Sequence, residues 1–424
     1  MNLISYARPS THRNSSLIRL AAYALSFLLL LLAVQTPSIA AGKQTIRSEL
    51  GQPIQAAQKA LQAKQYKEAQ AQLAKAEGVG KLSSYESYVI ARLKSSAAVG
   101  LGDYKGALAA YEQVLASPEL PTEEKLQTLD AYVKIAYSAK DYAKTADGIQ
   151  KYKAAGGTSA ETLGLYAQSL YLGGKFKEAG AELLSQINAL EAAGKRPSDT
   201  QLQLLASCAL KQNDMNAYTA ALEKIVAYTP KPDYWLDLIV RTSNKPGFSP
   251  SLSLDVYRLR RVTSTMEKTG DYMEAAQLAL QAGYPAEAKQ FVDQGYAKKL
   301  LGDGPDAARH QRLKDLVAKK LTEDQATLAE GEKAAAAQAT GDALVATGFN
   351  FVTYGQNDKG LQLMQQGIAK GGLKAADQAK LHLGVAQIMA GKKAEASKTL
   401  SGVGGTDGSK DMARLWNIQQ RTAK

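Results

Sequence analysis

Gly102-Asp103-Tyr104-Lys105-Gly106-Ala107-Leu108-Ala109-Ala110-Tyr111-Glu112-Gln113-Val114-Leu115 decides how this chain is read. Tyr104, Ala107, Leu108, Tyr111, Val114 and Leu115 recur at the spacing of one face of an α-helix. The segment before it, Tyr88 to Leu101, is a second amphipathic stretch, and Gly100 and Gly102 break the two apart. Together they predict a helix–turn–helix hairpin.

The same phrase recurs along the chain. Lys64-Gln65-Tyr66-Lys67-Glu68-Ala69 is one copy, Lys140-Asp141-Tyr142 another, and Gly174-Lys175-Phe176-Lys177-Glu178-Ala179 a third. Asn213-Asp214-Met215 is weaker, Gly270-Asp271-Tyr272-Met273-Glu274-Ala275 is strong, and Gly391-Lys392-Lys393-Ala394-Glu395-Ala396 closes the series. Positions 66, 104, 142, 176 and 215 stand 38, 38, 34 and 39 residues apart. Repetition near this period is the mark of stacked helical hairpins.

As a set, these copies resemble the tetratricopeptide repeat superfamily. The matching residues include Ala167, Leu170, Gly174, Phe176 and Ala179 in one unit, and Gly348, Phe351 and Gly355 in another. Leu383-Gly384, Gly391 and Ala396 match in the last unit. Pro230 stands where that family ends a repeat, whereas Thr145 and Tyr218 replace its small residue. The resemblance implies an all-α fold, a tetratricopeptide-like α-solenoid of helix–turn–helix hairpins. Ser409 to Arg421 would be a terminal helix capping the last repeat. The organisation expected is a signal peptide over 1–40 and an N-terminal array over 41–229. A Pro-rich interruption with one further hairpin covers 230–284, a degenerate helical connector 285–340, and C-terminal repeats with the capping helix 341–424. Within the connector, 306–320 and 322–338 read as separate helical stretches, with Thr322 suited to cap the second.

The first forty residues have the layout of a secretory signal. Arg8, Arg13 and Arg19 precede an uncharged apolar run from Leu20 to Val34, and Ser38 and Ala40 suit a cleavage site. That run is shorter than the roughly 20 residues a spanning helix needs. The length of the charged region leaves an uncleaved anchor as the alternative. No second long apolar run follows, so no integral membrane segment is expected after cleavage. The layout points to a periplasmic protein. Loss of the three arginines takes the formal net charge from +12 to +9. A moderate positive balance favours acidic partners, and an exported chain without nucleic-acid recognition motifs points away from nucleic acid.

Chemistry is sparse. Cys208, the one cysteine, lies among small and apolar helix residues and reads as a packing residue. His310, between Arg309 and Gln311, reads as solvated, and His382, among Leu381, Leu383 and Val385, as partly buried. No zinc-ligand spacing, phosphate-binding loop or nucleophile elbow is present. The chain is therefore expected to be no enzyme and to need neither cofactor nor metal.

Recognition is the expectation that remains. In the family, first helices of hairpins line the inner face. The resemblance implies a partner-binding groove formed by Arg92, Lys134, Tyr137, Gln168, Tyr171, Gln203, Lys211 and Arg260. Tyr257-Arg258-Leu259-Arg260-Arg261 is the densest basic cluster, with Arg258 and Arg261 on one helix side and Arg260 on another. Trp235, Arg258 and Arg261 are secondary docking candidates. The segment from Pro232 to Leu301, with Asp233-Tyr234-Trp235 and Gly283-Tyr284-Pro285-Ala286-Glu287-Ala288, resembles repeat proteins associated with TonB systems. That implies a scaffold for cell-envelope proteins, accessory to TonB-type transport. Binding or guiding an envelope polysaccharide or peptidoglycan is the alternative.

Overall fold

The computed structural model describes residues 45–422, so the signal segment read at 1–40 lies outside the described residues. All regular elements among the described residues are helical. The chain forms two compact units, the first up to Gln186 and the second from Ile187. The division falls inside the stretch read as one array over 41–229.

In the first unit α1 (Ser48–Gln62) pairs with α2 (Tyr66–Gly78), α3 (Ser84–Leu101) with α4 (Tyr104–Ala116), and α5 (Lys125–Ser138) with α6 (Tyr142–Ala154). Helix α7 (Ala160–Leu172) follows, and α8 (Phe176–Ala192) carries the chain past the division. Each helix from α1 to α7 packs on the next, and the first helices of adjacent hairpins touch as well, α1 on α3 and α5 on α7. That is the contact pattern of a tetratricopeptide-like α-solenoid.

The recurring sequence phrase has a physical meaning in the turn. Lys64, Gly102, Lys140 and Gly174 all take positive φ, between 57° and 78°. The next residue closes the preceding helix. Gln65, Asp103, Asp141 and Lys175 donate their backbone N–H to the carbonyls of Ala60, Ala98, Ala136 and Leu170 at 2.8 to 3.0 Å. This is the Schellman closure, which occupies carbonyls a helix end would otherwise strand. Asp103 and Asp141 then turn round and cap the following helix, accepting from the N–H of Gly106 and Lys144. One short phrase thus ends one helix and starts another. Small residues close the crossings: Ala69, Ala107 and Ala179 are fully buried.

The second unit continues with α9 (Asp199–Lys211), α10 (Met215–Tyr228), α11 (Pro232–Ser243), α12 (Ser253–Val262), α13 (Thr269–Gln281) and α14 (Pro285–Ala297). Then come α15 (Ala307–Ala337), α16 (Asp342–Thr353), α17 (Asn357–Lys370), α18 (Ala376–Met389), α19 (Lys393–Ser401) and α20 (Ser409–Thr422). The same turn recurs at Asn213, Gly283, Gly355 and Gly391, again at positive φ. The two stretches expected over 306–338 form one helix of 31 residues. Nothing between Lys320 and Glu323 breaks it, and its alanine and charged residues favour helix throughout. Thr322 accordingly caps nothing; its hydroxyl donates to the Ala318 carbonyl of the turn before it.

Helix α20 packs on α18 and α19, covering the end of the last hairpin. It also packs on α10 and α12, near the start of the unit. The second unit is therefore closed on itself. Arg414 of α20 pairs with Glu223 of α10 at 2.8 Å, and Lys245 pairs with Asp411 at 3.1 Å. The turn after α11 receives the returning chain: the Ser249 N–H donates to the Asp407 carbonyl at 2.8 Å. Gly408 lies against the Phe248 ring so closely that an added Cβ would stand 2.4 Å from it.

Candidate functional site

Closure of the second unit encloses a group of charges. Arg258 on α12 and Glu287 on α14 are 3 % and 1 % exposed, and Asp255, one turn before Arg258, is 1 % exposed. Arg258 donates through Nε and Nη2 to both Glu287 oxygens, at 2.9 and 2.8 Å, and through Nη1 to Asp255 at 2.9 Å. Its guanidinium lies 4.3 Å from the Phe349 ring centroid and 5.3 Å from that of Tyr284. Asp255 also meets His382 Nε2 of α18 at 3.1 Å. Burial would lower the pKa of Arg258, but the carboxylates of Glu287 and Asp255 outweigh burial and raise it. The cation is thus fixed, and every donor edge facing those acids is used.

Arg261, one turn on, differs. It shares the side of α12 that carries Arg258, while Arg260 leaves by another face and pairs with Asp271 at 2.8 Å. Arg261 hydrogen-bonds the neutral Gln290 Oε1 and lies 5.1 Å from the Phe291 ring centroid. Burial, and then the nearby Arg258, push its pKa down against the opposing pull of Glu287. Between α12, α14, α18, α19 and α20 lies a cavity of about 170 Å³. Arg258, Arg261 and Glu287 form one wall, and Val385, Ile388, Met389 and Trp416 others.

The first unit carries an open groove of about 870 Å³ between α4, α5 and α6. Leu115, Leu129 and Tyr132 form its floor. Ala116, Ala143 and Ala154 are short and exposed, which leaves the trough open. On its rim Lys144 pairs with Glu112 at 2.8 Å and Lys151 with Asp147 at 2.6 Å. Lys125 is exposed there and makes no ion pair among the described residues.

The residues expected to form a partner groove are dispersed in their roles. Arg92 is buried, donating to Tyr88 Oη at 3.0 Å and pairing with Glu124 at 2.9 Å. Lys134 pairs with Asp130 at 2.7 Å. Tyr137 and Tyr171 are half-buried, packed edge-on against Tyr142 and Phe176. Gln168 is half-buried, while Gln203 and Lys211 are exposed, Gln203 3.4 Å from Tyr234 Oη. Trp235, 2 % exposed, sits in the core, because α11 turns its apolar face inward, and Arg258 is internal; neither stands on a docking face. His310 was expected in solvent but is 3 % exposed, its Nδ1 accepting from the Gly302 N–H at 3.1 Å. The turn before α15 folds over it, which the flanking arginines concealed.

The first unit's groove escaped the sequence because α4 and α6, both second helices, supply most of its lining around α5, and a trough made by alanines has no motif. The cavity escaped because α12 ends at Val262 and α20, which helps enclose it, begins only at Ser409. Among the described residues no His, Cys, Asp and Glu group is arranged to hold a metal. No helix of the described residues is long and apolar enough to cross a membrane.

No family model matches the chain, and no curated protein matches it. Among solved structures, the crystal structure of yeast Tom70 aligns with 87 % of this chain and 94 % of its own, at 12 % identity and a TM-score of 0.24. The fold assignment stands on the helix packing described above rather than on that alignment.

Proposed function

We propose that this protein is a non-enzymatic helical-repeat scaffold of the bacterial periplasm, binding a segment of another cell-envelope protein. The observation that carries this reading is the groove of the first unit. It has an apolar floor, a rim of opposed charges and a lysine, Lys125, that meets no acid among the described residues. Such a surface suits an apolar peptide segment with an acidic side chain opposite Lys125. The periplasmic setting rests on the charged and apolar layout of residues 1–40. TonB-associated complexes are the first partners to try, on the likeness of the segment from Pro232 to Leu301.

A photo-crosslinking residue at Ala143 in intact cells tests the reading. A defined envelope protein should be captured, and Ala116→Glu with Lys125→Glu should abolish the adduct. Both positions are exposed, so folding should survive the changes. Capture that is indifferent to these substitutions, or capture of glycan alone, would overturn the assignment.

A further inference from the structure

We propose that the cavity enclosed by α12, α14, α18, α19 and α20 binds a small carboxylic acid with a compact apolar body, its carboxylate held by Arg261 and Trp416. Three observations converge there. First, the two cations of the wall are not equivalent. Arg258 is saturated by Asp255 and Glu287, whereas Arg261 has a neutral amide and a ring for company. Lys393, exposed where α19 begins, adds a further positive charge to the lining. With the carboxylates of Asp255 and Glu287 both turned to Arg258, Arg261 and Lys393 supply the positive charge left to the lining.

Second, two buried polar atoms on lining residues lack partners among the described residues. Trp416 is 3 % exposed and its Nε1 donates to nothing; Gln420 is 4 % exposed and its Oε1 accepts nothing. Buried polar groups are normally satisfied, so each such atom calls for a partner. Water could serve these two atoms but would bring no charge to Arg261. A carboxylate can accept from both Arg261 and the Trp416 indole, and a hydroxyl or N–H on the same ligand could serve Gln420.

Third, apart from Gln419 the rest of the wall is apolar. Val262, Val385, Ile388 and Met389 would surround the body of the ligand. The volume, about 170 Å³, sets its size. An engineered apolar cavity of about 150 Å³ in another protein accepts benzene. A single ring or a short branched chain therefore fits, and a longer acyl chain does not. The site exists only because α20 returns to α12, so occupancy would also brace the closure of the unit.

The test uses the whole mature chain with benzoate and 3-methylbutanoate as probes and benzamide as the uncharged match. Calorimetry should give saturable binding of at least one acid at one site per chain. Affinity should be about tenfold or more weaker for benzamide and for Arg261→Gln, since each removes a charge-assisted hydrogen bond. Trp416→Phe keeps the packing and removes the indole N–H; it should weaken binding several-fold. Ile388→Phe fills the cavity without touching a charge and should abolish binding while circular dichroism stays native. Those two variants carry the test if Arg261→Gln does not fold. The proposal is overturned if neither acid binds saturably at millimolar concentration, which would leave water as the occupant. It is equally overturned if binding survives in Ile388→Phe or is unaffected by Arg261→Gln.

Discussion

His382 Nε2 lies 3.1 Å from Asp255 Oδ2, although 127 positions of chain separate them. The contact joins α18 to α12 in the interior of the second unit, and Asp255 holds Arg258 with its other oxygen. Burial would raise the Asp255 pKa, but the charges of His382 and Arg258 outweigh it and bring the value to about 2. An unfolded aspartate titrates near ~3.9. The unfolded chain therefore takes up this proton first as the solution is acidified. The stabilisation is complete above pH ~4, falls as pH drops through about 2, and is of order 2 kcal/mol.

Asp255→Asn should cost about 3–5 kcal/mol near neutral pH, because it leaves the buried Arg258 half-compensated. Towards pH 2 the difference from the native chain should shrink, since Asp255 itself is then taking up its proton. Urea unfolding at both pH values measures this. A gap that stays constant with pH would mean the carboxylate charge is not what stabilises the cluster.

Cys208 is fully buried on α9, and burial pushes its thiol up to about 11. Little thiolate forms at neutral pH, and reagents cannot reach it. A thiol-specific reagent should therefore leave the native protein unmodified and label it stoichiometrically in denaturant. Fast labelling of the native chain would contradict the packing role.

Lys64 and Lys140 hold positive φ values of 57° and 59° at turns where Gly102 and Gly174 do the same without a Cβ. The left-handed region costs a non-glycine residue roughly 1–2 kcal/mol. Part of that is returned by the greater freedom glycine gives the unfolded chain. Lys64→Gly and Lys140→Gly should each stabilise the first unit by ~0.5–1 kcal/mol. Thermal melts of the single and double variants check the sign and the additivity.

Helices α16 and α17 cross through glycine. A Cβ on Gly348 would stand 2.6 Å from the Gly360 carbonyl oxygen, and one on Gly360 would stand 2.5 Å from that of Gly348. Backbone faces backbone, so no side chain can swing aside. Gly348→Ala should cost ~1–3 kcal/mol or more by forcing the helices apart. Gly331, on the exposed part of α15 with open space around it, is the control: alanine there should raise stability slightly.

The hairpins were legible because their signal is local. The turn phrase, the aromatic after it and the alanine three residues later all act within one repeat: the phrase reappears as a closure and a cap, and the alanine as a crossing. Charge could not be placed in the same way. Arg258 and Arg260 are two residues apart on one helix, yet one is internal and the other pairs with Asp271 nearer the surface. Only the return of α20 and α18 to α12 decides which side of that helix is inside, and no local pattern carries the return. Trp235 shows the same limit. An aromatic beside a proline-rich turn suggests a docking residue, whereas the apolar stripe of α11 buries it.

What holds that return together can be decided by comparing two residues of α20. Arg414 makes its ion pair with Glu223 while 40 % of its side chain stays exposed. Solvent screens such a pair, so Arg414→Ala should cost no more than ~1 kcal/mol. Trp416 is 3 % exposed and packs with Leu415 and Met412 inside the unit's core. Its removal leaves a cavity, and Trp416→Ala should cost ~3–5 kcal/mol. Apolar burial therefore outweighs the visible salt bridges as the cause of closure. Hydrogen exchange separates the two: Trp416→Ala should expose amides of α10 and α12, which α20 covers, and Arg414→Ala should leave them protected. Equal losses in both variants would shift the cause to the ion pairs, and raising the salt concentration would then open the unit as well.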